Sequence, residues 1–219
     1  MKRLIIFLFL IAMAVCLWAT SFGPATPAVT ADDATISYLY SEVTADYKGC
    51  AIGNNGGYEV AAFFRFPNAT IAKGSTISSA KIQFTADEDR SGTTANLNIY
   101  LNNVDNAVAP TTFSGFTGLA LTSAVAWNSI SAWTYLEAAA AELTPDFSTL
   151  VQAVVGRAGW VSGNALMVVI HDNSSSTDAR RSAYQRSASN TSYLPALSIT
   201  YTEPSSSTPH RLLLLGAGN

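Results

Sequence analysis

Few side chains in this sequence have the reach to do chemistry. There are 2 His and 2 Cys in 219 residues, too few for a zinc centre of the His/Cys type. His171 stands beside Asp172, and with a serine hydroxyl such a pair can build a nucleophile. No Gly-x-Ser-x-Gly elbow accompanies it, and His171 reads instead as a strand-end residue facing solvent. Glu59, Glu137 and Glu142 are acids available for glycoside cleavage. That reaction needs two carboxyls about 5–10 Å apart across a cleft, and nothing in their spacing pairs them. The expectation is a protein that is not an enzyme.

Binding chemistry has more candidates. Asp87-Glu88-Asp89 and Asp105 put oxygen ligands in turn-like stretches, the donor set that calcium takes. A structural calcium on Asp87, Asp89 and Asp105 is therefore one expectation, with no cofactor otherwise required. The alternative is an acidic turn that blunts a sheet edge. Trp127, Tyr58 and Tyr100 are candidates for an aromatic platform under sugar rings. Trp133 and Trp160 neighbour apolar strand or helix residues and read as core. Arg65, between Phe64 and Phe66, reads as a half-buried structural cation. Asn68-Ala69-Thr70, Asn173-Ser174-Ser175 and Asn190-Thr191-Ser192 are N-glycosylation sequons.

Composition narrows the classes. Apolar residues make up 48% of the chain and charged residues 12%, about half the usual ~25%. The net charge is −3, so a nucleic-acid partner held by phosphate contacts is not expected. Met1-Lys2-Arg3, the apolar run Leu4 to Trp18 and the small residues of Ala19-x-Ser21 and Val29-x-Ala31 read as a secretory signal peptide over 1–31. Its apolar run of 15 residues is shorter than the ~20 needed to span a bilayer. The expected location is secreted, extracellular or at the cell surface, with membrane contact only through the leader. Cys50 is then the one remaining thiol, read as buried in preference to cross-linked.

These residues must be positioned by the body, 32–202. Thr35 to Tyr40, Ser79 to Ala86 and Asn96 to Asn102 alternate apolar and polar residues with period 2. Tyr58 to Phe66, Trp133 to Leu136, Ala165 to Ile170, Ser182 to Arg186 and Ala196 to Tyr201 read as further strands. Alternation with no βα repeat predicts an all-β protein, a two-sheet antiparallel sandwich. One helix is expected near 145–156. Thr144-Pro145-Asp146 supplies its cap and first-turn residues, and Phe147, Leu150, Val151 and Val154 form one apolar stripe. Glu137 to Leu143, rich in alanine, is expected to add a helical turn before it. Glu203 to Pro209 reads as a linker, and 210–219 as an apolar tail carrying Leu212, Leu213, Leu214 and Leu215.

Phe64-Arg65-Phe66 followed by Ile71 to Phe84, then Gly159-Trp160-Val161-Ser162-Gly163-Asn164-Ala165-Leu166, and finally Tyr193 to Tyr201, resemble the secreted DNRLRE-type jelly-roll domains, relatives of carbohydrate-binding modules. The resemblance covers about 35–202. It implies a jelly roll, and a glycan as one class of partner. Four tethered leucines imply another partner, a second copy of the chain, with the tail laid as a strand into a neighbour's sheet. Head-to-tail contacts of that kind propagate into a fibre. Two functions are therefore expected: a structural subunit that self-assembles into a filament or surface layer, and alternatively a carbohydrate-binding or adhesive module.

Overall fold

The computed structural model describes residues 19–89, 94–187 and 189–205. Its strands are β1 (Ala19–Ala25), β2 (Asp33–Ser37), β3 (Glu42–Thr44), β4 (Gly49–Asn55), β5 (Tyr58–Phe66), β6 (Thr76–Gln83), β7 (Ala95–Leu101), β8 (Val125–Ile130), β9 (Leu166–Asp172), β10 (Arg180–Tyr184) and β11 (Ala196–Thr202). Two α-helices, α1 (Phe113–Thr117) and α2 (Ser148–Val155), interrupt them. One sheet runs β1-β11-β6. The other runs β10-β4-β5-β9-β7-β8, with β2 bonded to β5 and β3 to β2. The chain is an all-β sandwich of two antiparallel sheets.

The alternation sets which face is buried. In β11, Leu197, Ile199 and Tyr201 point inward while Ser198 and Thr200 are exposed. β6 answers them through Leu197↔Ile82 and Ile199↔Ala80. β5 and β9 are apolar almost throughout because they are buried on both faces. One face feeds the main core, where Phe64, Phe84, Trp127, Trp133 and Trp160 gather. On the other, Ala61, Phe63, Met167 and Val169 pack with Ala107 and Phe116 of the β7–β8 connection, forming a second, smaller core. Each fully buried large side chain contributes about 1.5–3 kcal/mol.

The expected helix forms, but over Ser148–Val155, with the stripe Phe147, Leu150, Val151 and Val154 buried. Thr144 does not cap it. Its hydroxyl accepts the Ile82 amide at 2.9 Å, while Asp146 accepts the Ser148 amide at 2.8 Å and the Ser79 hydroxyl at 2.6 Å. The two side chains stitch the helix start to β6. Residues 137–143 are not helical. The Ala139 amide turns to the Glu142 carboxylate at 2.8 Å.

Trp133 to Leu136 is not a strand either. The Trp133 indole goes into the core and donates to the Ala141 carbonyl, and Leu136 takes a φ of +64°, which ends any extended run. The strand lies upstream as β8. At the other end of the chain, β1 falls inside the segment expected as leader. It pairs Thr20↔Tyr201 and Phe22↔Ile199, so the sandwich begins before residue 31. Its register shifts between Phe22 and Ala25 around Gly23, at φ +98°, where a β-carbon would overlap the Leu197 carbonyl oxygen. Residues 1–18 and the leucines Leu212 to Leu215 lie outside the described residues.

Candidate functional site

A groove of about 550 Å³ opens beside β2, β3, β4 and β10, within the size range of small-molecule sites. Small residues line its base. Gly49 and Ala51 of β4 and Ser182 of β10 are cross-strand neighbours in the register Ser182↔Ala51 and Tyr184↔Gly49, and Val60 comes from β5. Thr35, Ser37 and Thr44 add hydroxyls, each able to donate and accept. β4 is seven residues long, a span of roughly 20 Å at a strand's ~3.3 Å per residue, and Gly49, Ala51 and Asn55 along it line the groove.

Two tyrosines stand at its rim. Tyr40 follows β2 in the turn into β3, where its amide donates to the Ser37 hydroxyl at 3.3 Å. It is 69% exposed. Tyr47 precedes β4 and is 64% exposed. Neither belongs to either core. Large aromatic rings left in water beside a polar concavity offer flat apolar faces with a hydroxyl at one end.

The charges are Glu42, Asp87 and Glu88 against Arg180. Asp87 is fixed through its backbone, its amide donating to the Ser182 carbonyl at 3.0 Å. Its carboxylate lies directly over Gly49, where a β-carbon would overlap it. A residue with no side chain is therefore required beneath it. Arg180 lies 3.7 Å from the Glu88 carboxylate and donates to the Asn55 side chain, which holds the guanidinium along the wall. The arrangement is a hydrogen-bonding surface of carboxylate acceptors, guanidinium donors and hydroxyls, negative on balance.

Buried polar groups also lie at the start of β2. Asp32 receives Arg65 at 2.6 Å and the amides of Ala28 and Val29, so Arg65 is the half-buried structural cation expected. Asp33 is fully buried. Burial pushes its carboxyl up to about 7, with the neighbouring Asp32 charge adding to the rise. The Arg186 amide, bonded to it at 2.9 Å, and the Arg186 charge pull the other way. Cys50 is buried and free. Burial raises its thiol far above the ordinary range, against a hydrogen bond with Thr35, and a thiol so held is unreactive.

His171 does not face solvent as a bare strand end. Its Nδ1 lies 2.7 Å from the Glu59 carboxylate, among the rings of Tyr38, Tyr100 and Phe116. Its carboxylate contact is thus Glu59 from β5, and no serine hydroxyl joins the pair in the described bonds. Burial, with the Glu59 charge as a second cause, pushes the Tyr38 hydroxyl up to about 12.

The sequence candidates scatter across the molecule. Trp127 is no platform: it is buried and stacks on Phe84 at 6.2 Å with planes 12° apart, because β8 pairs Leu97↔Trp127 and turns it to the core. Tyr100 is half-buried against the second core. Tyr58 is exposed and opposes Asn55 at the far end of β4, beside the groove. The three aspartates have separate partners. Asp87 lines the groove, Asp89 accepts the Tyr135 amide at 2.7 Å, and Asp105 pairs with Arg157 at 2.7 Å. Among the described residues no group of three or more His, Cys, Asp or Glu is arranged to hold a metal ion. Asn68 is exposed at a turn, and Asn173 donates its amide to Asn128 at 3.0 Å. Asn190 is buried, its side-chain amide donating to the Gln185 carbonyl.

Sequence reasoning missed Tyr40, Tyr47, Glu42, Arg180 and Ser182, and named Glu88 only within the acidic run 87–89. The signal available was an aromatic residue in a stretch without core periodicity, as at Thr44-Ala45-Asp46-Tyr47-Lys48. Among the described residues no helix is long and apolar enough to cross a membrane. No family model matches the chain, and no curated protein matches it.

Proposed function

We propose that this chain is a non-catalytic binding module for neutral polysaccharide, and that the β2–β4–β10 groove is its site. The observation that carries the reading is the pair of exposed tyrosines, Tyr40 and Tyr47, on the rim of a groove with a hydroxyl- and carboxylate-bearing wall. Sugar rings present apolar C–H faces to aromatics and hydroxyls to everything else. Carboxylates accept from those hydroxyls, Arg180 donates to them, and Ser and Thr do both. Three acids against one arginine disfavour uronic or sulfated chains by like-charge repulsion. The sequence resemblance to relatives of carbohydrate-binding modules agrees with this reading.

Calorimetry on the purified protein with cello-, xylo-, laminari- and manno-hexaose tests it. One of these binds, and Tyr40→Ala or Tyr47→Ala weakens it about tenfold or more, in line with stacked aromatic contacts of 0.5–1.5 kcal/mol each plus lost burial. No binding across the panel, or binding that both variants leave unchanged, contradicts the proposal.

A second reading, self-assembly by strand exchange, draws on one observation: β1 is an edge of the three-stranded sheet and is mostly exposed, whereas the β6 edge is bonded to residues 142–147. Open edges accept strands. The leucine tail that motivates this reading lies outside the described residues. A monodisperse monomer at micromolar concentration on light scattering removes it.

A further inference from the structure

We propose that the binding surface continues past the Gly49 end of the groove onto a tyrosine platform, Tyr135 with Tyr193, so that the ligand is the interior of a long linear chain and not a chain end or a disaccharide. This rests on the glycan-binding reading above and extends it.

The strand β10 makes the connection. Arg180 and Ser182 line the groove. Residues two apart on a strand share a face, so Tyr184 continues the same row, opposite Gly49. From Arg180 to Tyr184 that row covers about 13 Å. The Tyr184 ring, itself buried, lies 5.1 Å from Tyr193 and 6.5 Å from Tyr135. Tyr135 and Tyr193 are 47% and 44% exposed. The acidic segment makes the same link from the other side, since Asp87 and Glu88 line the groove while Asp89 holds the Tyr135 amide at 2.7 Å.

The platform is rigid before any ligand arrives. Lys48 lies over Tyr135 and Tyr184, 5.1 and 5.3 Å from the ring centroids. The Tyr184 hydroxyl donates to the Tyr135 hydroxyl at 3.2 Å. The Leu136 amide ties the turn to the Ala86 carbonyl at 2.9 Å. Tyr135, held by these contacts and outside both cores, loses little freedom when a flat surface settles on it. A chain laid along β10 passes the Asp87 carboxylate over Gly49 before it reaches the rings.

The test is chain-length dependence, by calorimetry with the full chain and cello-, xylo-, laminari- and manno-oligosaccharides of two to six units. Wild-type affinity for the bound series rises from trisaccharide to hexasaccharide. Tyr135→Ala and Tyr193→Ala each lower hexasaccharide affinity roughly tenfold and leave the trisaccharide unchanged, whereas Tyr135→Phe and Tyr193→Phe retain the gain. Both side chains are half-exposed, so their truncation leaves the cores intact, and an unchanged melting temperature checks this. A flat length profile, or hexasaccharide binding indifferent to both alanine variants, overturns the extension and leaves the groove reading standing. No binding to any member of the panel overturns both. Trisaccharide binding that survives Tyr40→Ala and Tyr47→Ala but is lost in Tyr135→Ala relocates the site and overturns the continuity proposed here.

Discussion

At the scale of single residues, Asp33 is a side chain whose protonation state is set by where it sits. It is fully buried with one oxygen bonded to the Arg186 amide and the other, Oδ1, without a partner. An ionised carboxylate there is costly, and its pKa rises to about 7. The folded chain then keeps a proton that the unfolded chain gives up near pH 4. Stability from this group is present at low pH, falls as pH climbs from about 4 to about 7, and levels off above. Melting temperatures measured from pH 4 to 8 are expected to show that decline, and Asp33→Asn, which stays neutral throughout, is expected to flatten it. Phe84 is the second case. It touches Phe64 at 5.1 Å and Trp127 at 6.2 Å from full burial, so Phe84→Ala removes about 3–5 kcal/mol, read from urea unfolding. Both roles differ in legibility. The inward face of Ala80, Ile82 and Phe84 is written in the alternation around it, whereas Asp33 is one acid of an Asp-Asp pair, and only the fold decides which of the two meets Arg65.

At the scale of elements, hydrogen bonds between distant segments decide what propensity alone leaves open. Asp146 joins α2 to β6, accepting Ser79, Ala80 and Ser148. Partial burial raises its pKa, and these bonds outweigh that, holding the carboxyl below its ordinary range. Asp146→Ala is expected to cost about 1–2 kcal/mol and to increase amide exchange at Ser148–Leu150 and at Ala80, measured by hydrogen exchange. The strands with strict alternation, β6, β7 and β11, were readable because one face is wet. β5 was readable as an aromatic run. β1, β3, β4 and β8 were not. β4 is Gly-Cys-Ala-Ile-Gly-Asn-Asn, with glycines that a periodicity count reads as turns. One of them, Gly49, is there because the Asp87 carboxylate occupies the space of a side chain. Gly49→Ala displaces Asp87 and is expected to weaken glycan binding several-fold with a smaller change in melting temperature. The same substitution with unchanged affinity denies the Asp87 wall a part in binding.

At the scale of the whole molecule, the site is a product of topology. Tyr40 and Tyr47 lie seven residues apart in the sequence, but Arg180 and Ser182 come from the far end of the chain, and only the β10-β4 pairing brings them to one surface. No local pattern carries that information, and of the aromatics expected as a platform Trp127 went to the core, Tyr100 is half-buried and Tyr58 is exposed beside the groove. The central claim is that this surface is where a neutral polysaccharide sits. A ¹⁵N-labelled sample titrated with the cello-, xylo-, laminari- and manno-hexaoses and followed by amide chemical shifts tests it most directly. Shifts concentrated at Ser37, Tyr40, Tyr47, Gly49, Ala51 and Ser182 are predicted for whichever hexaose binds. Shifts confined to the opposite sheet, at Ser198 and Thr200, or none with any of the four, contradict it.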